Sequence, residues 1–257
     1  MLKTTVESLS GIVVAVAALF AAQLAVAQTL VVQGSTTFER RLLRPFQAEI
    51  ELKTGLQLTI IPNKSAPGLL ALMEGRAPVI MLSAPLEAET AQLKTALPGL
   101  PFDKLQAHEV DRTRIAVAVH KKNPVKSITL EQVTQILQGK IDNWKAVGGP
   151  ALPIKVILVG GGGGVTVAVQ SALLQGQEAW APNLLYVQTP VQLVRIVEQE
   201  PGAIGFAQLA LVQQRGVPEL QTDKPIEQVL YYITLGDPTP AVQLLIDATR
   251  EVARRAM

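Results

Sequence analysis

Residues 154–174 read IKVILVGGGGGVTVAVQSALL: an apolar run, five consecutive glycines at 160–164, then a second apolar stretch. Six apolar or amphipathic residues bounded by glycine have the pattern of a strand buried on both faces, and the segment from Val165 to Leu174 is long enough for a helix. The turn between them has no Cβ atoms, so a solute can reach its backbone N–H groups, and the helix N-terminus behind it adds about half a positive charge. Small anions are the natural guest. The purely structural reading is a turn that needs φ > 0 or must pass close to another backbone. Nucleotide motifs do not fit the run. A P-loop needs Lys and then Ser or Thr after its last glycine, where Val165 and Thr166 stand, and the third glycine of a dinucleotide fingerprint falls on Val165 or Thr166 in the two possible frames.

Outward from this run, short β-branched segments alternate with amphipathic ones, an α/β pattern. Thr29 to Val32 reads as a strand. Gly34-Ser35-Thr36-Thr37 then leads into Phe38, Leu42, Phe46 and Ile50, four apart on one helix face, with Pro45 expected to kink or divide that helix. Leu56 to Ile61, a helix over Gly68 to Glu74 and a strand over Val79 to Leu82 complete a βαβαβ run. Ile115 to Val119 is a further strand. Thr129 with Gln132 three residues on, an apolar stripe at Leu130, Val133, Ile136 and Leu137, and a stop at Gly139 predict a well-capped helix. Thr189-Pro190 and Thr239-Pro240 open two more helices, and Pro201-Gly202 turns the chain into a strand at Ala203 to Phe206. Ligands of open α/β sheets bind beyond the carboxyl ends of strands, which singles out the loops Gly34 to Thr37, Asn63 to Gly68 and Ser83 to Pro85.

Lys3 precedes an apolar stretch, Gly11 to Ala22, and Ala25-Val26-Ala27 gives a small-x-small cleavage signal before Gln28. Residues 1–27 are therefore expected to be a signal peptide and the mature protein to be exported, in the periplasm. The chain has no cysteine, so packing alone must hold it together in an oxidising compartment, and its net charge of +2 argues against nucleic acid as a partner. His108 and His120 stand in no metal-spaced cluster, no Gly-x-Ser-x-Gly elbow occurs, and Glu109 with Asp111 reads as a pair on a solvated loop. Neither an enzyme nor a metal or cofactor protein is expected, and both histidines read as surface residues. Trp144 and Trp180 read as core or lobe-surface packing residues, Trp144 with a structural role in its segment.

Together, Gly34-Ser-Thr-Thr-Phe, the segment from Asn123 to Trp144, Val147-Gly-Gly-Pro and Pro201-Gly-Ala-Ile-Gly-Phe resemble the phosphate-binding, substrate-binding proteins of bacterial phosphate ABC transporters. The resemblance implies a type II periplasmic binding protein fold: mixed sheets flanked by helices, two lobes and a cleft between them. It places lobe one at 28–113 plus 205–257 and lobe two at 114–204. It also implies a monomer that delivers phosphate or a related oxyanion to ABC permease subunits or a sensor.

Carried over by position, the resemblance gives as ligand residues Ser35, Thr36, Thr37, Ser65, Ser83, Gly162, Gly163, Gly164 and Thr166. Two positions depart from it. Ala84 stands where these proteins have an aspartate able to accept a proton-bearing phosphate oxygen, and Val159 stands where they have an arginine. Lys64, Arg40, Arg41 and Arg114 could substitute for that lost cation, but each reads as a solvated surface charge and none is placed in the site. Because of these departures, a second reading is a periplasmic interaction module that no longer binds phosphate, and a third is a binder of a neutral or organic solute.

Overall fold

The computed structural model describes residues 28–161 and 164–255. The expected signal peptide, Gly162 and Gly163 lie outside them. Ten strands are joined: β1 (Thr29–Gly34), β2 (Gln57–Ile61), β3 (Val79–Leu82), β4 (Leu105–Val119), β5 (Ser127–Ile128), β6 (Lys155–Val159), β7 (Leu184–Val187), β8 (Ala203–Gln208), β9 (Glu219–Thr222) and β10 (Ile226–Leu235). The main path runs β2-β1-β3-β10-β4-β8-β6-β7, with β9 on β4 and β5 on β9. At one end β1 pairs in parallel with β2 and β3, and at the other β6 pairs in parallel with β7 and β8. Antiparallel β10 and β4 join the two ends.

The length of β4 makes this continuity possible. Its residues from Leu105 to Ile115 pair with β10, and from Ile115 onward it pairs with β8. A bulge in the β4–β10 ladder lies opposite Leu230 and Tyr231, where Val110 is the extra residue. The sequence pattern predicts only the apolar end of this strand, Ile115 to Val119. The preceding stretch, Leu105 to Arg114, is rich in charged residues and is held extended by its partner strand.

Four groups of core residues flank the sheet, two on each half. One side chain set, including Leu30, Val32, Phe38, Met81, Tyr232, Leu245 and Ile246, packs on one face of the first half, while Leu69, Leu72, Ile80, Leu82 and Ile233 pack on the other. In the second half Val156 and Leu158 join Val133, Ile136, Trp144 and Phe206, whereas Ile157 and Val159 join Leu193, Val194 and Val197. Alternate residues of β6 thus enter different cores, which is why its sequence is apolar throughout.

The helices follow their sequence signals closely. The helix α1 covers 36–54 as an α-helical turn, Thr36–Phe38, a π-helical stretch, Glu39–Leu43, and an α-helical stretch, Arg44–Thr54. Pro45 divides it as expected. Proline has no N–H to give to the carbonyl four residues back, and the Arg44 N–H instead reaches Glu39, five residues back. The next three are α2 (Ser65–Met73), α3 (Leu86–Ala96) and α4 (Leu130–Leu137). They are followed by α5 (Gly164–Leu174), α6 (Pro190–Gln199), α7 (Leu209–Gln214) and α8 (Pro240–Arg255). Thr129 and Thr189 form complete capping boxes with Gln132 and Gln192. None of the described helices is long and apolar enough to cross a membrane.

Three surface expectations are corrected by packing. His120 is buried, its Nδ1 accepting the Lys122 N–H at 3.1 Å, because it directly follows β4, whose last residues are all interior. His108 is half-buried beside Thr234 Oγ1 at 2.9 Å, where burial and then the Arg250 charge lower its pKa. Asp111 is not a loop carboxylate at all but sits inside β4, with its side chain wholly buried. Of the two tryptophans, Trp144 is in the core and Trp180 is on the surface, 73 % exposed.

Candidate functional site

The carboxyl ends of β1, β3, β6 and β8 meet at one cleft, as the switch-point rule leads one to expect. It has a volume of about 110 Å³ and is lined by Ser35, Thr36, Thr37, Lys64, Ser65 and Ser83 from the first half of the sheet. The second half supplies Val159, Gly160, Gly161, Gly164, Val165, Gln188, Pro190 and Gln208. A single water needs roughly 10–15 Å³ on the same measure, so the cleft has room for a small polyatomic solute.

The first wall is built by close backbone approach. Gly34 ends β1 at φ 118°, and a Cβ there would meet the Met81 carbonyl oxygen at 2.2 Å, so only glycine lets β1 end against β3 in this way. Gly68 of α2 in turn packs on Gly34, bringing the N-terminus of α2 beside that of α1. Ser35 caps α1, accepting the Phe38 N–H at 3.2 Å, and its hydroxyl donates to Ser83 Oγ at 2.7 Å. Both serines are buried, as is Ser65 at the start of α2. Behind Ser65 stands Glu89, whose pKa is raised by burial and lowered to a smaller degree by the Ser65 hydroxyl.

The second wall is the glycine turn. Gly160 donates its N–H to Val187 O at 2.9 Å, tying the turn to β7. Gly164 opens α5 directly against Ser83: an added Cβ would lie 2.2 Å from Ser83 Oγ and 3.0 Å from Gln228 Nε2. Gln228 is wholly buried on β10 and donates to Ser83 O at 2.8 Å, which fixes the β3 terminus. The walls also touch through Gln208, whose Nε2 donates to Thr37 Oγ1 at 3.4 Å.

The N-termini of α1, α2, α5 and α6 therefore face one small space, together with three serine and two threonine hydroxyls. Each helix start contributes a partial positive charge, and the N–H groups not taken by caps such as Ser35 and Thr189 are left as donors. Such a set of donors suits an oxyanion.

Of the residues expected from sequence, Ser35, Thr36, Thr37, Ser65, Ser83 and Gly164 are brought together here. Thr166 is not. Its hydroxyl turns back to accept the Val159 N–H at 3.2 Å, closing the base of the glycine turn. Gly162 and Gly163 fall outside the described residues. Gly160 and Gly161 belong to the glycine turn expected to meet an anion, although the carry-over by position did not include them; Gln188 and Gln208 were not expected, although the strand-end rule applied to β7 and β8 would have pointed to both.

Lys64 is the largest difference. It borders the cleft, and its Nζ lies 3.7 Å from where a Cβ on Gly161 would be, so a lysine from the first wall overhangs the turn of the second. Its backbone holds φ 74° and ψ 170°, a region essentially confined to glycine, at a cost of about 1–3 kcal/mol. The other candidate cations are elsewhere: Arg114 pairs with Glu219 at 2.9 Å, Arg41 pairs with Asp111 at 3.1 Å, and Arg40 is exposed away from the cleft.

Arg41 has a structural task. Asp111 is buried, and among the described residues its carboxylate accepts from Arg41 Nε at 3.1 Å and from the Arg112 N–H at 2.8 Å. Replacing Arg41 by Gln is expected to lower stability by about 1.5–3 kcal/mol, the usual cost of losing a charged hydrogen-bond partner, and to leave oxyanion affinity unchanged. Chemical denaturation and calorimetry on the same variant check both halves.

The chain matches the family described as "PBP superfamily domain" over residues 21–248. It is 24 % identical over 195 residues to the phosphate-binding protein PstS of Bacillus subtilis (strain 168), an alignment covering 76 % of this chain and 62 % of the relative, so it spans less than two thirds of that protein's length. Among solved structures it is similar to a putative phosphate ABC transporter substrate-binding protein with bound phosphate from Clostridium perfringens. The TM-score is 0.70 at 23 % identity, covering 89 % of this chain and 96 % of the other. An ABC-type phosphate transport receptor from Vibrio cholerae gives a TM-score of 0.71 at 21 % identity, covering 88 % and 96 %. These likenesses show the fold, the two-lobed type II periplasmic binding protein architecture expected from the sequence.

Proposed function

The chain belongs to the PBP superfamily, and on that footing we propose that it is an extracytoplasmic solute-binding protein for phosphate or a related oxyanion. The observation that carries this reading is the convergence of four helix N-termini and five hydroxyls on a cleft whose lining, among the described residues, holds one cation and no carboxylate. The names of the PstS relative and of the two transport receptors point to the same solute class. The protein is a monomer exported by cleavage before Gln28. It has no catalytic task and hands its ligand to ABC permease subunits or a membrane sensor when the lobes close. The chain leaves lobe one within β4. We place its return on β10, later than the 205 boundary suggested by sequence, since Phe206, Leu220 and Ile226 pack with Val117 and Val156 in the second core.

A thermal-melt panel of the mature protein with phosphate, sulfate, other oxyanions and small organic acids tests the proposal. Ligand at a hundred times its dissociation constant adds about 2.7 kcal/mol, or about 5–10 °C for a chain of this size. A shift with oxyanions and none with organic acids is the expected result. The second reading, an interaction module without a solute, is motivated by Val159, which puts an apolar side chain into the lining. A flat panel would favour it.

A further inference from the structure

Resting on the reading above, we propose that Lys64 supplies the positive side-chain charge for an oxyanion seated on the Gly160–Gly161 turn, and that the cleft reads its ligand by charge and not by its protons. The proposal makes sulfate-type oxyanions ligands alongside phosphate.

Three independent observations support it. First, Lys64 Nζ overhangs Gly161 from the opposite wall, and among the described residues no carboxylate forms a salt bridge with it. Second, its backbone is held in a conformation costly for any residue but glycine, directly before the α2 N-terminus, where glycine at the same position would be free of strain. Strain of this kind clusters at ligand clamps, which points to a use for the side chain. Third, every other polar group lining the cleft is neutral: serine and threonine hydroxyls, the amides of Gln188 and Gln208, and backbone N–H groups. Glu89 is not among the lining residues. Its neighbour is the Ser65 hydroxyl.

The selectivity follows from that inventory. Near neutral pH phosphate carries a proton and sulfate does not. A carboxylate in the lining would accept that proton and repel an oxyanion lacking it, which separates such ligands by roughly 10⁴-fold where a site is built around one hydrogen bond. Hydroxyl and amide oxygens accept a proton without repelling its absence. Lys64 attracts both dianions alike and bridges the walls through them.

Calorimetric titration of the mature protein with inorganic phosphate and inorganic sulfate, on the wild type and on Lys64→Met, Lys64→Arg and Lys64→Gly, tests this. The wild type is expected to bind both ions within about tenfold of each other. Lys64→Met should weaken both by roughly 10- to 100-fold, and Lys64→Arg should restore most of the loss. Lys64→Gly should weaken binding as much as Lys64→Met while raising the melting temperature of the ligand-free protein, a combination that a merely structural lysine would not give. Phosphate bound with sulfate excluded overturns the charge-only selectivity but leaves the proposed function standing. Unchanged affinity in Lys64→Met overturns the role of the lysine. If neither this panel nor the wider oxyanion panel shows binding, both readings fall.

Discussion

Gly164→Ala is expected to remove most of the oxyanion affinity while the fold survives. The new Cβ would sit 2.2 Å from Ser83 Oγ, a distance that real Cβ atoms do not tolerate, and a tight 3.3 Å from Ser83 Cβ. The atom most easily moved is the serine hydroxyl, which can rotate away at little cost to packing. That rotation breaks the Ser35–Ser83 hydrogen bond and turns both hydroxyls out of their present arrangement. Gln228 Nε2, at 3.0 Å from the same Cβ, is crowded as well. Losing one hydrogen bond to a charged ligand costs about 1.5–3 kcal/mol, roughly 10- to 150-fold in affinity, and the methyl group narrows access to the α5 N–H groups besides. Titration of the variant with phosphate measures the loss, and the ligand-free melting curve should stay within a few degrees of wild type. Undiminished affinity would mean that the oxyanion does not lie between Ser83 and the glycine turn.

The largest stability effect is expected at Trp144. Its side chain is wholly buried among Val133, Ile136, Val156 and Phe206, and its Nε1 donates to Gly202 O at 3.0 Å, across 58 residues of chain. The glycine at 149 is part of the same arrangement, since a Cβ there would meet Trp144 Cβ at 2.9 Å. Trp144→Ala removes the packing and leaves a carbonyl without its donor, so a loss of about 3–5 kcal/mol is expected. That corresponds to a fall of about 6–20 °C in melting temperature for a chain of this length. Trp144→Phe should keep most of the packing and cost about 1–3 kcal/mol, the penalty of the unpaired carbonyl. Melting curves of both variants check this. A drop of less than a few degrees in the alanine variant would show that the second core does not depend on the indole.

Both positions were marked in the sequence, Gly164 by its glycine run and Trp144 by its place before Gly-Gly-Pro, but the partners that explain them were not. Ser83 is 81 positions from Gly164, and Gly202 is 58 from Trp144. The cation candidates show the same division. Lys64, Arg40, Arg41 and Arg114 look alike in sequence, each a charged residue near a loop or crossover. In the structure one overhangs the cleft, two are committed to Asp111 and Glu219, and one is exposed away from the cleft. Nothing local distinguishes them. The side chains of long cations take the direction their surroundings allow, and those surroundings are assembled from distant segments.

By itself the sequence determined the α/β class, the capped helices at Thr129 and Thr189, the division of α1 at Pro45 and the strand–glycine–helix turn. These rest on hydrogen bonds and steric rules that act within a few residues, so their signals are contiguous. Only the tertiary structure decided that β4 runs unbroken through both halves of the sheet and that Thr166 closes a turn instead of facing a solute. It also decided that Gln208 reaches Thr37, and that Lys64 stands over Gly161. Those outcomes depend on which strand ends the fold brings together, and the free energy that brings them together comes from the burial of the cores on both halves of the sheet, far from any one loop.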